Sequence, residues 1–206
     1  GIDVEIQIFP RAVQFTKAGT RGEPFDLTLE GWHMDYYDPY GFLFLLDGGT
    51  IRPAGNINFS YYDDLDYRGR LSEANALSGQ ARIDALGALD VHAASSAAPL
   101  ATFATDYNRE FFSDRIGCHT YHGPTGTMSL AALCLRSGSD RTFRWQLDTD
   151  IDYVDPGLAY YVISWQIEHA TCARLLNYPD AGGPLQPEIA HGLPTVSPDG
   201  LTYTFT

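Results

Sequence analysis

The sequence predicts an α/β fold, in which helices pack on sheets, because strand-like and helix-like apolar patterns alternate at its start. Residues 2–9 alternate between apolar and polar side chains, as in a half-buried strand. A helix opened by Pro10 and a second apolar segment at residues 25–29 follow, so we expect a β-α-β unit. Crossovers of this kind favour a parallel sheet with helices packed on it. Further along, residues 63–77 and 79–94 carry apolar side chains at helical spacing.

Shorter patterns define the rest of the chain. Residues 31–39 form a predicted loop rich in aromatic side chains and carboxylates, and Ala98-Pro99 ends the second long helix. A linker is predicted at residues 137–140, which read Ser-Gly-Ser-Asp. The other predicted elements are strands at 100–103, 142–147 and 203–206, short helices at 41–46 and 129–135, and a longer helix at 155–176.

The charge balance excludes some partners. The chain has 206 residues, with 13 Lys and Arg against 26 Asp and Glu, and a net charge of −13. This balance argues against binding nucleic acid or anionic lipid, both of which require basic patches. It keeps the protein in solution by self-repulsion, or it attracts cationic solutes. No apolar run is long enough to span a membrane, and no signal-peptide pattern opens the chain.

The three cysteines are Cys118, Cys134 and Cys172. No pair has the C-x-x-C spacing of a structural zinc site. Cys118 and Cys134 flank a single loop, where a disulfide would stabilise the fold by about 3 kcal/mol; buried free thiols are the alternative. A zinc site at His119, His122 and Cys118 would need a ligand from elsewhere in the chain. Cys172 lies in a helical pattern and is expected to be a small buried residue.

Three segments of the sequence resemble one protein family. The first, residues 1–39, is a predicted strand and helix followed by FDLTLEGWHMDYYDP. The second, residues 61–136, begins YYDDLDYRGRLSEANAL and ends FFSDRIGCHTYHGPTGTMSLAALCLR. Both are similar to late parts of the family 5 extracytoplasmic solute-binding proteins, which deliver peptides and similar solutes to ABC importers. The third, residues 148–206, begins DTDIDYVDPGLAYY and ends DGLTYTFT, and it resembles the start of a mature member.

The resemblance implies a periplasmic-binding-protein-like fold of type II, or cluster C, with sheets flanked by helices. The order of its parts is inverted, as in a permuted domain or a cut through a tandem repeat. Residues 1–99 would form part of the second ligand-binding lobe and residues 100–206 part of the first. The join between the C-terminal-like and the N-terminal-like segments would fall near the predicted linker at 137–140. Family members are longer, so the remainder of a full-length chain is an expected partner.

The resemblance also implies a binding site. The family carries a Gly-Trp-x-x-Asp loop, here Gly31 to Asp35, and in peptide binders the aspartate anchors the amino terminus of the ligand. Trp32 would supply apolar area and a cation–π face beside Asp35. Alternatively, Asp35 caps a turn and Trp32 belongs to the core. The opposite lobe would contribute Tyr160, Tyr161 and Val162, whose alternative role is packing against a sheet.

The function that follows is capture of a peptide or a related small solute outside the membrane, in the periplasm or at the cell surface. Its partners would be that solute and the membrane subunits of an ABC transporter. No catalytic residue, metal or cofactor is assigned, and a disulfide between Cys118 and Cys134 is expected in an exported protein. The alternative is a non-binding structural or interaction module derived from such a protein. A carboxylate pair for glycoside hydrolysis is a third, less favoured interpretation.

Overall fold

The computed structural model describes residues 1–105, 107–136, 138, 141–147 and 149–206. It divides into two compact units, Gly1–Ala104 and Thr105–Thr206. Across these residues the fold mixes helices with short strands, so a mixed fold of helices and sheets is confirmed in outline. Of the predicted linker at 137–140, only Gly138 lies within the described residues. The assignment of the two units to lobes of a binding protein stays a prediction.

The described helices of the first unit lie close to their predicted positions. Residues 10–18, 41–46, 63–77 and 79–94 were expected to be helical, and each range contains helix. The observed elements are α1 (Arg11–Ala18), α2 (Tyr40–Leu43), 3-10 turns at Phe44–Leu46 and Gly48–Thr50, α3 (Leu65–Asn75), α4 (Gly79–His92) and a π-helical turn at Ala93–Ala97. After the π turn, Ala98 adopts a left-handed conformation with φ 43°, so the helix ends before Pro99 as predicted.

The core of the first unit forms between α3 and α4. Asp64 starts α3 by accepting a hydrogen bond from the backbone N–H of Tyr67 at 2.7 Å. The side chain of Tyr67 is fully buried, and its hydroxyl donates to the carbonyl of Leu43 at 2.8 Å. The whole apolar cluster consists of Leu43, Leu46, Tyr67, Leu71, Ala74, Leu86, Leu89 and Ala93. This core fixes α2 against the α3–α4 pair.

The predicted β-α-β opening is wrong. Residues 2–9 and 25–29 form no strand, although the helix between them is present. Ile2 is 92% exposed and Ile8 90%, so the alternating apolar face has nothing packed against it within the unit. Alternation specifies one apolar face, but a strand also requires a neighbouring backbone to satisfy its N–H and C=O groups. The strands predicted at 100–103 and 142–147 are not formed by the described residues there either.

The strands of the second unit pair in antiparallel hairpins, and the predicted parallel sheet is absent from the described residues. The pairs are β1 (Ile116–Gly117) with β4 (Cys134–Leu135), β2 (Tyr121–His122) with β3 (Thr127–Met128), β5 (Leu176–Asn177) with β6 (Gln186–Pro187), and β7 (Thr195–Val196) with β8 (Tyr203–Thr204). The helix predicted at 129–135 is replaced by a turn and β4, and the strand expected at 203–206 is confirmed as β8. The longer predicted helix shortens to α5, Val162–Thr171.

The predicted disulfide is confirmed. Cys118 and Cys134 are bridged, with their Cα atoms 5.4 Å apart. The bridge closes the β1–β4 pair, in which Gly117 lies opposite Cys134. A Cβ atom on Gly117 would come within 3.2 Å of the Cys134 sulfur and 2.7 Å of Arg136, so glycine is required for this close approach. Cys172 is a half-buried free thiol that follows α5 in extended conformation, so it is not helical.

No helix among the described residues is both long and apolar enough to cross a bilayer.

Candidate functional site

Trp32, near the beginning of the loop at residues 31–39, attaches that loop to α2. The indole nitrogen of Trp32 donates to the backbone carbonyl of Gly41 at 3.0 Å, which places the indole against the start of α2. Its ring meets Phe44 edge-to-face, with ring centroids 5.8 Å apart. Trp32 is half-buried and lies outside the apolar cluster between α3 and α4. The indole therefore has a defined position while part of its surface stays accessible.

Asp38 attaches the other end of the loop to α2 and α4. Its Oδ1 atom accepts the backbone N–H of Tyr40 at 2.8 Å and lies 3.0 Å from the guanidinium of Arg82. The contact with Tyr40 is the one expected of a capping carboxylate, although α2 itself begins at Tyr40 and Pro39 occupies the cap position. Asp38 is therefore a structural carboxylate.

Asp35 lies between these two attachments in a different environment. Its side chain is half-buried, and no described residue forms a hydrogen bond or an ion pair with its carboxylate. Burial raises the pKa of Asp35 above its usual value, because the charged form loses solvation without gaining a partner. The alternative role of Asp35 as a turn cap has no contact to support it, and Asp38 makes the capping contact of this loop instead.

The surroundings of Asp35 suit a cation with an apolar part. Tyr36 and Tyr37 are both partly exposed next to it in the chain. Burial raises the pKa of the Tyr36 hydroxyl, and the negative charges of Asp38 and Asp35 act in the same direction. An ammonium group would supply the hydrogen bonds and the counter-charge that Asp35 lacks. The aromatic rings would cover the rest of such a solute.

The other predicted contact residues belong to the second unit. Tyr160, Tyr161 and Val162 lie at the start of α5, and Tyr160 packs edge-to-face on Trp165 with ring centroids 5.7 Å apart. The backbone N–H groups of Tyr160 and Tyr161 donate to the carboxylate of Asp152, at 2.7 and 3.0 Å. The structure thus brings these three residues together with one another, whereas Trp32 and Asp35 lie in the first unit.

Sequence reasoning missed Asp152. Besides the two tyrosine amides, its carboxylate accepts the backbone N–H of Tyr153 and the hydroxyl of Ser164. Burial favours the protonated acid, but the hydrogen bonds from Ser164 and the backbone outweigh it and lower the pKa of Asp152 to about 2. The sequence pointed instead to Asp155-Pro156 as the helix start, yet α5 begins later, at Val162. Asp152 is a structural anion that satisfies donors at the start of α5.

A second polar group in this unit was also missed. The rings of His122 and His169 stack with centroids 3.8 Å apart, and His169 Nε2 lies 2.7 Å from Asp180 Oδ1. Ser129 donates its hydroxyl to the same carboxylate oxygen, at 2.5 Å. These residues are distant in the sequence, so no local pattern could have joined them. No imidazole is hydrogen-bonded to Ser129 among the described residues; its hydroxyl donates to the Asp180 carboxylate instead.

The environment of His122 disfavours its charged form. The side chain is 3% exposed, its Nδ1 atom lies 3.1 Å from the Thr125 hydroxyl, and its Nε2 atom has no hydrogen-bond partner among the described residues. Burial, followed by the neighbouring His169, lowers the pKa of His122 to about 4. His122 is therefore a neutral, buried histidine at physiological pH.

Cys118 cannot supply a thiolate ligand to the zinc site considered at Cys118, His119 and His122, because its sulfur is bonded to that of Cys134. His119 stacks on Phe112 with ring centroids 3.8 Å apart. No group of three His, Cys, Asp or Glu side chains within the described residues is arranged to hold a metal ion.

Comparisons of the chain with protein-family models, with curated proteins and with solved structures find no match. The resemblance to solute-binding proteins therefore rests on the sequence segments quoted above. The geometry adds a half-buried carboxylate without a partner among the described residues, on the same loop as an anchored indole.

Proposed function

We propose that this chain is part of the substrate-binding component of an ABC importer and that it captures an amine-bearing solute, a peptide or a related small molecule, outside the membrane. The single observation that carries the proposal is the environment of Asp35. This carboxylate loses solvation through burial, and no described residue compensates it with a hydrogen bond or an ion pair. A bound ammonium group would supply that compensation.

The contact between Asp35 and an ammonium group should make a sizeable contribution to the free energy of binding. Hydrogen bonds to charged groups contribute about 1.5–3 kcal/mol, more than bonds between neutral groups. A net charge of −13 adds long-range attraction for a cationic solute. The indole of Trp32 is held in place by Gly41, so it is ordered before the ligand arrives.

The proposal includes a fold and a location. The two units would be partial lobes of a type II periplasmic-binding-protein-like fold, completed by the remainder of a longer chain. Tyr160, Tyr161 and Val162 would meet the solute from the second lobe after hinge closure, and the closed protein would dock on the importer's membrane subunits. The Cys118–Cys134 disulfide supports an oxidising, extracytoplasmic compartment.

Thermal-shift measurements on the whole chain test the proposal with dipeptides, tripeptides and sugars. At least one amine-bearing compound should raise the melting temperature, because a ligand that binds only the folded state stabilises it by mass action. Asp35→Asn should remove most of that increase. Asp26→Asn is the matched control, since Asp26 is an exposed carboxylate of the same unit. An equal shift in the Asp35→Asn variant would contradict a binding role for this carboxylate.

A non-binding interaction module is the second candidate, and one observation favours it. The apolar side chains of Ile2, Val4, Ile6 and Ile8 are all strongly exposed, and such a surface is typical of a segment that packs against another protein or another part of a longer chain. If no compound of the panel shifts the melting temperature, this candidate is the better supported one.

A further inference from the structure

We infer that Arg82 is a positioning residue for the candidate site: it holds the loop at residues 31–39 in the conformation that presents Asp35. The inference rests on the proposed function for its effect on affinity. Its structural half, that Arg82 orders the loop, can be tested without any ligand.

The guanidinium of Arg82 joins two different parts of the first unit. One nitrogen, Nη1, lies 3.0 Å from Asp38 Oδ1 in the loop, and the other, Nη2, donates to Asn75 Oδ1 at 3.1 Å. Asn75 is the last residue of α3, while Arg82 itself belongs to α4. A single planar side chain therefore connects the loop to both helices of the core.

The ion pair between Arg82 and Asp38 should be stronger than one at a fully exposed position. The Arg82 side chain is 20% exposed and that of Asp38 is 24% exposed, so water screens their attraction only in part. The same Oδ1 atom of Asp38 also accepts the backbone N–H of Tyr40. Arg82 thus orients a carboxylate that also accepts the first backbone N–H of α2.

Asp35 lies between two fixed points of the loop. Trp32 is bonded to Gly41 of α2, and Asp38 is bonded to Tyr40 of α2 and to Arg82. No described residue forms a hydrogen bond or an ion pair with the Asp35 carboxylate, so its position depends on the attachments of the surrounding loop, which include these two and the approach of Met34 to Gly41. Loss of the Arg82 contact would leave the loop to be ordered at the moment of binding, and that ordering lowers affinity.

Arginine is specifically suited to this role. Its planar fork presents several donors in fixed directions, so it can contact Asp38 and Asn75 at once. A lysine at this position keeps the charge but has a single ammonium group. We therefore expect Arg82→Lys to fall between the native protein and Arg82→Gln in every measurement below.

Hydrogen exchange of backbone amides tests the structural half. In Arg82→Gln, the amides of Asp38 and Tyr40, which donate to the Tyr36 carbonyl and to Asp38 Oδ1, should exchange roughly tenfold faster or more, while those of Leu86 and Leu89 in the core should not change. Arg70→Gln is the control, because Arg70 forms only an exposed i,i+4 pair with Asp66 on α3. Unchanged exchange at Asp38 and Tyr40 in Arg82→Gln would overturn the inference. Equal acceleration in the core would overturn it too, by showing a general loss of stability.

Calorimetric titration with trialanine, a peptide with a free amino terminus, tests the functional half. Arg82→Gln should bind about tenfold more weakly, with a less favourable entropy of binding, and Arg70→Gln should bind normally. If Asp35→Asn weakens binding and Arg82→Gln does not, the positioning role is wrong and the proposed function stands. If trialanine binds the native chain and Asp35→Asn equally, or binds neither, the proposed site is wrong for this peptide class. In that event the effect of Arg82 on affinity is wrong with it, whatever the exchange shows.

Discussion

At the scale of single residues, Asp35 and Asp38 show that the environment of a carboxylate decides whether it has a structural role or can bind a ligand. They lie three positions apart on one loop, and the sequence left open a capping role for Asp35. Asp38 receives a backbone N–H and a guanidinium, whereas no described residue bonds Asp35, whose pKa is raised by burial. The hydrogen-bonding capacity of Asp38 is therefore used within the fold, whereas that of Asp35 is available to a ligand.

This difference predicts opposite effects of two matched substitutions on stability. Asp38→Asn removes the ion pair with Arg82 and should lower the free energy of unfolding by about 1–2 kcal/mol. Asp35→Asn removes a desolvated charge and should leave that free energy unchanged or slightly higher at pH 7. Urea unfolding of both variants measures the two values. A larger loss in Asp35→Asn than in Asp38→Asn would show that Asp35 is the structural residue.

His122 predicts a dependence of stability on pH. Its folded pKa of about 4 lies below the ordinary value of 6.5, so the unfolded chain binds the proton more readily. The stability that it contributes is therefore fully present above pH 6.5 and is lost as the pH falls toward 4. His169, Asp180 and Arg174 are the charged or titratable groups that act on it.

Urea unfolding followed between pH 7 and pH 4 checks this prediction. The loss of stability for the native chain should be larger than for His122→Asn, by up to about 3 kcal/mol at pH 4. Asn keeps a polar atom near the Thr125 hydroxyl but has no imidazole to protonate. His191→Asn, at an exposed position of the same unit, should follow the native curve. Parallel curves for all three proteins would refute the assignment.

At the scale of elements, the helices of the first unit could be predicted from the sequence, whereas of the five predicted strands only the one at 203–206 is formed by the described residues, as β8. The signals for α3 and α4 are local: apolar residues at helical spacing, and Asp64 at the start of α3. A strand forms only with a partner strand, so the pattern of its own residues does not specify it. Residues 2–9 have the pattern and no partner, while the two-residue strands β1 to β8 have partners and almost no pattern.

The candidate site could likewise be predicted only where its signals are local in the sequence. The loop with Trp32 and Asp35 could be located, because the resemblance and the aromatic composition are both local. The attachments of that loop could not, since Arg82 lies 44 positions from Asp38. The Asp152 and His122 arrangements likewise depend on contacts between distant residues.

Helix α4 allows a matched test of the core. Leu86 is fully buried in the apolar cluster, and Leu86→Ala should lower the free energy of unfolding by about 2–5 kcal/mol. Ile83 lies on the same helix but is 45% exposed, so Ile83→Ala should cost less than half as much. Chemical unfolding of both variants gives the comparison. Equal losses would mean that α4 buries a different face.

The hairpin closed by the disulfide allows a direct chemical count. Denatured, unreduced protein should contain one free thiol, that of Cys172. Reduction should then lower the stability of the second unit by about 3 kcal/mol, because the open loop gains entropy in the unfolded state. Three thiols before reduction would remove the support that the cysteines give to an oxidising compartment.

At the scale of the whole molecule, the chain holds two compact units with unequal interiors. The first unit has one continuous apolar cluster, whereas the buried side chains of the second include His122, Ser129, Ser164, Gln166 and Glu168. Buried side-chain atoms of His122, Gln166 and Glu168 lack hydrogen-bond partners among the described residues, and such atoms are costly. We therefore expect the second unit to be the less stable of the two, and more dependent on its disulfide.

The central claim is that Asp35 binds the ammonium group of a solute. Calorimetric titration of the whole chain with a peptide from the thermal-shift panel, in its free and N-acetylated forms, tests it most directly. Acetylation should weaken binding by roughly ten- to a hundredfold, which corresponds to the loss of one charge-assisted contact. In Asp35→Asn both forms should bind equally weakly, because the two changes remove the same interaction. Equal affinity of the native chain for both forms would contradict the claim.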